Sequence, residues 1–218
     1  MTTEQLRHRM PPILKALKER SLRGRTPVEG LRRTECAYHG WDTVHADAAS
    51  WEPFAPGDAF GGLEAHHCFK GTVTLPEASA GKRVVCLVST GASDIWNNNN
   101  PQFLAYVDGR LVCGLDVNHN EFDLAACAVP GESHELALYV YCNTPARDVF
   151  LRVETAERDD DVTGLYYDLR APYEVCALLA DDDTRAIGIM KHLNRALNLL
   201  DLRDLDSGAF AQSVRDAR

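Results

Sequence analysis

The stretch GLDVNHNEFDL at positions 114–124 gathers Asp116, Asn118, His119, Glu121 and Asp123. Two carboxylates held about 5–10 Å apart are the apparatus of glycoside hydrolysis, so Asp116 and Glu121 are candidates by type. An imidazole beside carboxylates also suits a divalent metal. The same residue types satisfy the backbone of turns. The segment follows the apolar run LAYVDGRLVC, so a polar connection between strands accounts for the same composition.

Other clusters are sparser. EAHHCF sets His66, His67 and Cys68 side by side, but neighbours on a strand point to opposite faces and cannot easily share one metal. His66 could join Asp116 or His119 only through the fold. HAD at 45–47 is a bare His-x-Asp. No Gly-x-Ser-x-Gly elbow, phosphate-binding loop or dinucleotide fingerprint is present. Trp41, Trp51, Phe54, Phe60 and Trp96 are aromatic faces that could stack on a sugar ring, or cover the edge of a sandwich.

Composition narrows the classes. The 218 residues suffice for one substantial domain with an appendage, and 45% are hydrophobic, as in folded proteins generally. With 32 acidic against 23 basic residues the formal charge is −9, which disfavours nucleic acid as a partner. No apolar run reaches the ~18 residues of a membrane span, and MTTEQLRHRM lacks the apolar centre of a leader. The seven cysteines are scattered without a Cys-x-x-Cys pair. An odd count and the absent leader argue against a disulfide framework, so the cysteines read as small buried hydrophobes in a reducing cytoplasm.

These residues must be positioned by elements of two kinds. Leu6, Met10, Ile13, Leu14 and Leu17 share one face of an N-terminal helix, which Pro11 and Pro12 are expected to bend or split. RSLRGRTPVEGLRR carries Gly24, Pro27 and Gly30 and reads as a linker. Strands are expected at 69–76, 82–90, 103–115, 121–129, 134–142 and 149–157. Asp108-Gly109 marks a hairpin turn within the third of these. The spacing indicates an antiparallel sandwich or jelly roll rather than a doubly wound sheet. Helix returns at 171–218, with Pro172 near a start. There the stripe Ile187, Met190, Leu193, Leu197 and Leu200 follows an Asp-rich cap.

The order of these features resembles a known family. WEPFAPGDAFGGLEAHHCFKGTVTLPEASAGKRVVCLV, followed by NPQFLAYVDGRLVCGLDVNHNEFDL, resembles the region upstream of the catalytic domain in bacterial and cytosolic-type α-mannosidases of glycoside hydrolase family 38. The matching positions are Trp51, Gly57, Gly61, Gly62, Phe69, Lys70, Asp108, Gly109, Gly114, Asp116, His119 and Glu121. The resemblance covers about 50–160 and reaches more loosely into 171–206. It departs where His67 and Cys68 stand, since the family usually has an aromatic there. The family's zinc-binding His-x-His-x-Asp-like segment, which follows its β-domain, has no counterpart here, and no catalytic residue carries over.

The resemblance thus implies a fragment or short paralogue of an α-mannosidase, with no cofactor in this chain and zinc in a catalytic domain beyond it. The expected organisation is a helical segment and linker over 1–35, a galactose-binding-like β-sandwich over 36–170, and a helical segment over 171–218 leading towards the catalytic domain. Trp51, Trp96, Asp116, Asn118, His119 and Glu121 are expected to contact carbohydrate or that domain. The catalytic domain of the same polypeptide, an oligosaccharide and a second copy docked through the helical stripe are the expected partners; nucleic acid and membrane are not. Two other readings stand beside it: a free-standing carbohydrate-binding module, and a small metal-dependent hydrolase using His66, Asp116, His119 and Glu121.

Overall fold

Period-3.6 and period-2 hydrophobic patterns resolve into two compact units. The computed structural model describes residues 3–91, 101–146, 148–180 and 182–218. One unit takes the chain up to Arg23 and again from Arg158 onward; the other spans Gly24–Glu157.

The second unit is an antiparallel β-sandwich. Its strands, in chain order, are β1 (Leu22–Pro27), β2 (Leu31–Cys36), β3 (Glu52–Phe54), β4 (Ala59–Phe60), β5 (Ala65–Thr74), β6 (Arg83–Ser89), β7 (Gln102–Val107), β8 (Arg110–Leu115), β9 (Glu121–Ala125), β10 (Ser133–Cys142), β11 (Val149–Phe150) and β12 (Arg152–Arg158). A four-stranded sheet runs β1-β12-β6-β9, a six-stranded sheet runs β3-β2-β5-β10-β7-β8, and β11 pairs with β4. Each sheet turns one face inward. Val84, Cys86, Val88, Phe122, Leu124 and Val153 from the first meet Leu31, Phe69, Phe103, Leu136, Leu138 and Val140 from the second in one core. This is the expected sandwich, and every expected strand contributes to it.

The β7–β8 hairpin forms where Asp108-Gly109 indicated. Both residues have positive φ, 50° and 73°, as a two-residue hairpin turn requires. The Asp108 carboxylate accepts from the Glu135 backbone N–H at 2.9 Å and meets His134 Nδ1 at 2.8 Å, which anchors the turn to β10.

Two boundaries differ from the sequence reading. The linker expected within 1–35 instead holds β1 and β2, which belong to different sheets, with Gly30 at φ 70° in the connection that crosses from one sheet to the other. Gly24 and Pro27 fall within β1 rather than in a spacer, and buried Val28 and Leu31 tie the segment into the core. The β-domain assigned to 36–170 ends earlier, because the helix containing Pro172 begins at Asp160 and not beside the proline. Asp159 caps it by accepting from the Val162 N–H at 3.1 Å.

The first unit consists of helices α1 (Thr3–Ser21), α2 (Asp160–Cys176), α3 (Thr184–Leu199) and α4 (Gly208–Ala217). Their apolar stripes close one core around Leu6, Met10, Leu17, Leu165, Leu169, Met190, Leu193, Leu197, Phe210 and Val214. The two helical segments expected on either side of the sandwich therefore pack together. Ile187 of the predicted stripe stays outside this core and is exposed. α1 also runs unbroken through Pro11 and Pro12. Pro11 has no N–H for the Arg7 carbonyl one turn back, and the Tyr173 hydroxyl of α2 donates to that carbonyl instead, at 3.4 Å. Among the described residues no helix is long and apolar enough to cross a membrane.

Candidate functional site

The outward face of the six-stranded sheet concentrates aromatic and titratable side chains. Strand register explains why. Across β2, β5, β10 and β7, Cys36 lies opposite His66, His66 opposite Tyr141, and Tyr141 opposite Gln102. One step along, Cys68 faces Tyr139, Tyr139 faces Leu104, and Leu104 faces Gly114. Alternation places all of these on the side away from the core.

The segment between β2 and β3 folds over part of this face. A 3-10 helix, Gly40–His45, drops Val44 onto the sheet beside Trp51, Cys68, Tyr106 and Tyr139. Lys70 pins it by donating to the Ala46 carbonyl at 2.8 Å while pairing with Glu135 at 3.2 Å. His39, before the helix, is left-handed at φ 59°, a conformation costly for a residue with a Cβ.

An aromatic surface results. The Tyr139 hydroxyl and His66 Nδ1 lie 2.7 Å apart, and the His66 ring stacks near Tyr139 and Tyr141 with centroids at 5.7 and 5.1 Å. Tyr38 meets the edge of His66 at 5.5 Å and Trp41 meets Tyr139 at 6.3 Å. Tyr38 is 70% exposed and Trp41 41%, so two aromatic groups stand in solvent above a packed base. The Tyr141 hydroxyl donates to Glu64 at 2.9 Å. That bond raises the Tyr141 pKa above the ordinary phenol value; burial does the same to Tyr139, against a backbone hydrogen bond from His39. Both phenols therefore stay protonated at neutral pH, with the Tyr141 proton held by Glu64.

Beside this surface runs a groove of about 410 Å³ lined by Gln102, Leu104, Gly114, Asp116, Tyr139 and Tyr141 among others. Gly114 lies on its wall opposite Leu104. A larger hollow of about 670 Å³ in the same unit is walled by Val28, Leu31, Phe54, Phe150 and Val153 together with Glu29, Arg152 and Glu154.

The expected site residues are dispersed. Trp51 is 8% exposed and buried beneath the 3-10 helix; its carbonyl accepts from Arg32 at 2.9 Å. It supports the face and cannot stack on a ligand. Trp96 lies outside the described residues. Asp116 begins the β8–β9 turn, where one carboxylate oxygen accepts from the Asn118 and His119 N–H groups at 2.7 Å each, with the His119 ring at 3.3 Å. Those hydrogen bonds, the one from His119 first, hold its pKa below the ordinary carboxylate value. A carboxylate kept ionised in this way is a poor general acid. Asn118 and His119 are exposed on the same turn, and Glu121 stands in β9 of the other sheet, opposite Leu87. Of the five that lie among the described residues, Asp116 alone is placed at the groove wall. Among the described residues no group of three or more His, Cys, Asp or Glu side chains is arranged to hold a metal ion.

Tyr139 and Tyr141 were absent from the expected set. Their signal lay in LALYVYC, where alternate positions share a face, read together with His66, Cys68 and Lys70 in HHCFK. Not all the cysteines are buried: Cys68, Cys86, Cys142 and Cys176 are, Cys36 and Cys113 are partly open, and Cys127 is exposed.

No family model and no curated protein matches the chain. Solved structures similar to it include a Bacteroides uniformis β-glucuronidase, at 11% identity over 62% of this chain and 18% of that one, with a TM-score of 0.46. A Faecalibacterium prausnitzii β-glucuronidase shares 13% identity over 62% and 32%, with a TM-score of 0.41. A Ruminococcus gnavus β-glucuronidase shares 8% over 63% and 29%, with a TM-score of 0.45. The chain spans less than a third of the length of the first and third of these enzymes and about a third of the second.

Proposed function

We propose that the sandwich unit is a non-catalytic carbohydrate-binding accessory of a glycosidase, and that the outward face of its six-stranded sheet is the binding surface. The observation that carries this reading is the groove beside Tyr139, Tyr141 and Gln102, continuous through His66 with the exposed rings of Tyr38 and Trp41. Aromatic faces take the apolar side of a pyranose, and the nearby hydroxyls, amide and carboxylate suit its hydroxyl groups. Bond cleavage is assigned to other polypeptide. The Asp116 carboxylate is committed to its own turn, and Glu121 belongs to the opposite sheet.

The charged groups at the groove are acidic: Asp116 on its wall, and Glu64 behind Tyr141. A neutral sugar therefore fits better than a uronate, which would bring like charge to like. On the resemblance in motif order over 50–160, α-mannosides are proposed first among neutral candidates, with an α-mannosidase of family 38 as the proposed parent enzyme. The test is calorimetric titration of the whole chain with mannose, α-mannobiose, other neutral disaccharides and glucuronate. Saturable binding of a neutral glycan at millimolar concentration or tighter, with glucuronate weaker, is expected. Silence across the neutral sugars would refute the reading, and tighter binding of glucuronate would refute the assignment of a neutral ligand.

A further inference from the structure

Beneath the aromatic surface lies a pair of groups that sugar binding does not use. Cys36 ends β2 and Cys68 stands within β5; the register pairs Thr34 with Cys68 and Cys36 with His66, so the two cysteines are diagonal neighbours on one face. Their sulfurs are 3.6 Å apart. A disulfide places sulfurs about 2.05 Å apart, so closure asks for roughly 1.5 Å of further approach. The surroundings hold the pair together. Cys68 is fully buried among Val44, Trp51, Tyr106 and Tyr139. Cys36 is confined by Gly40, where an added Cβ would lie 3.1 Å from the Cys36 Cβ. The two differ in access, since Cys36 is partly open to solvent.

We propose that Cys36 and Cys68 are a dithiol that a small-molecule disulfide converts into an intramolecular cross-strand disulfide. Cys36, the accessible member, attacks as its thiolate. Its sulfur bonds to one sulfur of the small disulfide, whose S–S bond breaks and releases one thiolate. Cys68 then gives up its proton and attacks the Cys36 sulfur, expelling the second thiolate. The protein loses two protons and two electrons, and the small disulfide is reduced to two thiols. The hydrogen bond with Cys68 lowers the Cys36 pKa below the ordinary thiol value, and the same contact, reinforced by burial, raises that of Cys68. This division suits an attacking and a resolving thiol.

The full chain, incubated with oxidised glutathione, acid-quenched, alkylated and digested, reports the outcome by peptide mapping in the absence of any sugar. The expected result is a reductant-sensitive link between the peptides holding Cys36 and Cys68, while exposed Cys127 carries a glutathione adduct as the internal control. In Cys68→Ala the resolving thiol is gone, and a stable glutathione adduct should accumulate on Cys36. A wild-type chain that keeps a stable adduct on Cys36 beside an unmodified Cys68 would overturn the proposal. So would one in which both remain free thiols while Cys127 reacts.

Discussion

His67 sits one residue from the aromatic surface yet faces the opposite way. Its ring packs on Phe60 with centroids at 5.5 Å, Nε2 lies 3.3 Å from the Gly61 carbonyl oxygen, and Nδ1 is buried without a hydrogen-bond partner among the described residues. Burial pushes its pKa below the ordinary value of 6.5. In the unfolded chain the ring takes a proton as pH falls through about 6.5, while the folded chain resists until its lower pKa is reached. The unfolded state then binds more protons, so stability is lost over that interval and the loss levels off below it. Urea denaturation between neutral and mildly acidic pH should show this component in the wild type and not in His67→Gln. Identical pH slopes would contradict it. The same residue explains what was legible at this scale. The sequence argument that adjacent His66 and His67 cannot share a metal was sound, because they point to opposite sides of one strand. What residue types could not convey was that Asp116, Asn118 and His119 satisfy one turn, or that Trp51 lies under a 3-10 helix. Both depend on where the chain goes next.

Elements were more readable than residues. β6, β7, β8 and β10 each alternate or run apolar between Gly, Pro and Asp punctuation, and each formed where that pattern placed it. The β1–β2 segment escaped notice because charged residues are interspersed through LRGRTPVEGLRR. Only Val28 and Leu31 mark it as part of the core, too few for a period to emerge. In α1 the prolines pointed to a break that the fold prevents: tertiary packing of Leu6, Met10 and Leu17 spans both sides, and Tyr173 takes over the freed Arg7 carbonyl. This compensation is measurable. Tyr173→Phe should destabilise the helical unit by about 0.5–1 kcal/mol. In a Pro11→Ala background, where residue 11 can donate to Arg7 itself, the same change should cost less, giving a non-zero coupling in the double-mutant cycle. Strict additivity in thermal or urea unfolding would show that the hydroxyl does not replace the missing bond.

For the molecule as a whole, fold class followed from spacing, whereas function depended on which face of which sheet stays open. Period-2 patterns identify two faces per strand and leave their assignment to strand order, here β3-β2-β5-β10-β7-β8, which sequence does not encode locally. The formal charge of −9 and the acidic groups at the groove favour a neutral ligand held by stacking and hydrogen bonds, an interaction that salt screens little. The most direct test is mapping of backbone amide shifts during titration with α-mannobiose, or with the best neutral glycan from the panel, for the wild type and Tyr141→Ala at low and high salt. The account predicts perturbations concentrated at Gln102, Leu104, Gly114, Tyr139 and Tyr141, an affinity insensitive to salt, and a loss of about tenfold in the variant, equivalent to ~1.4 kcal/mol. Shifts centred away from this face, or binding unchanged by Tyr141→Ala, would contradict it.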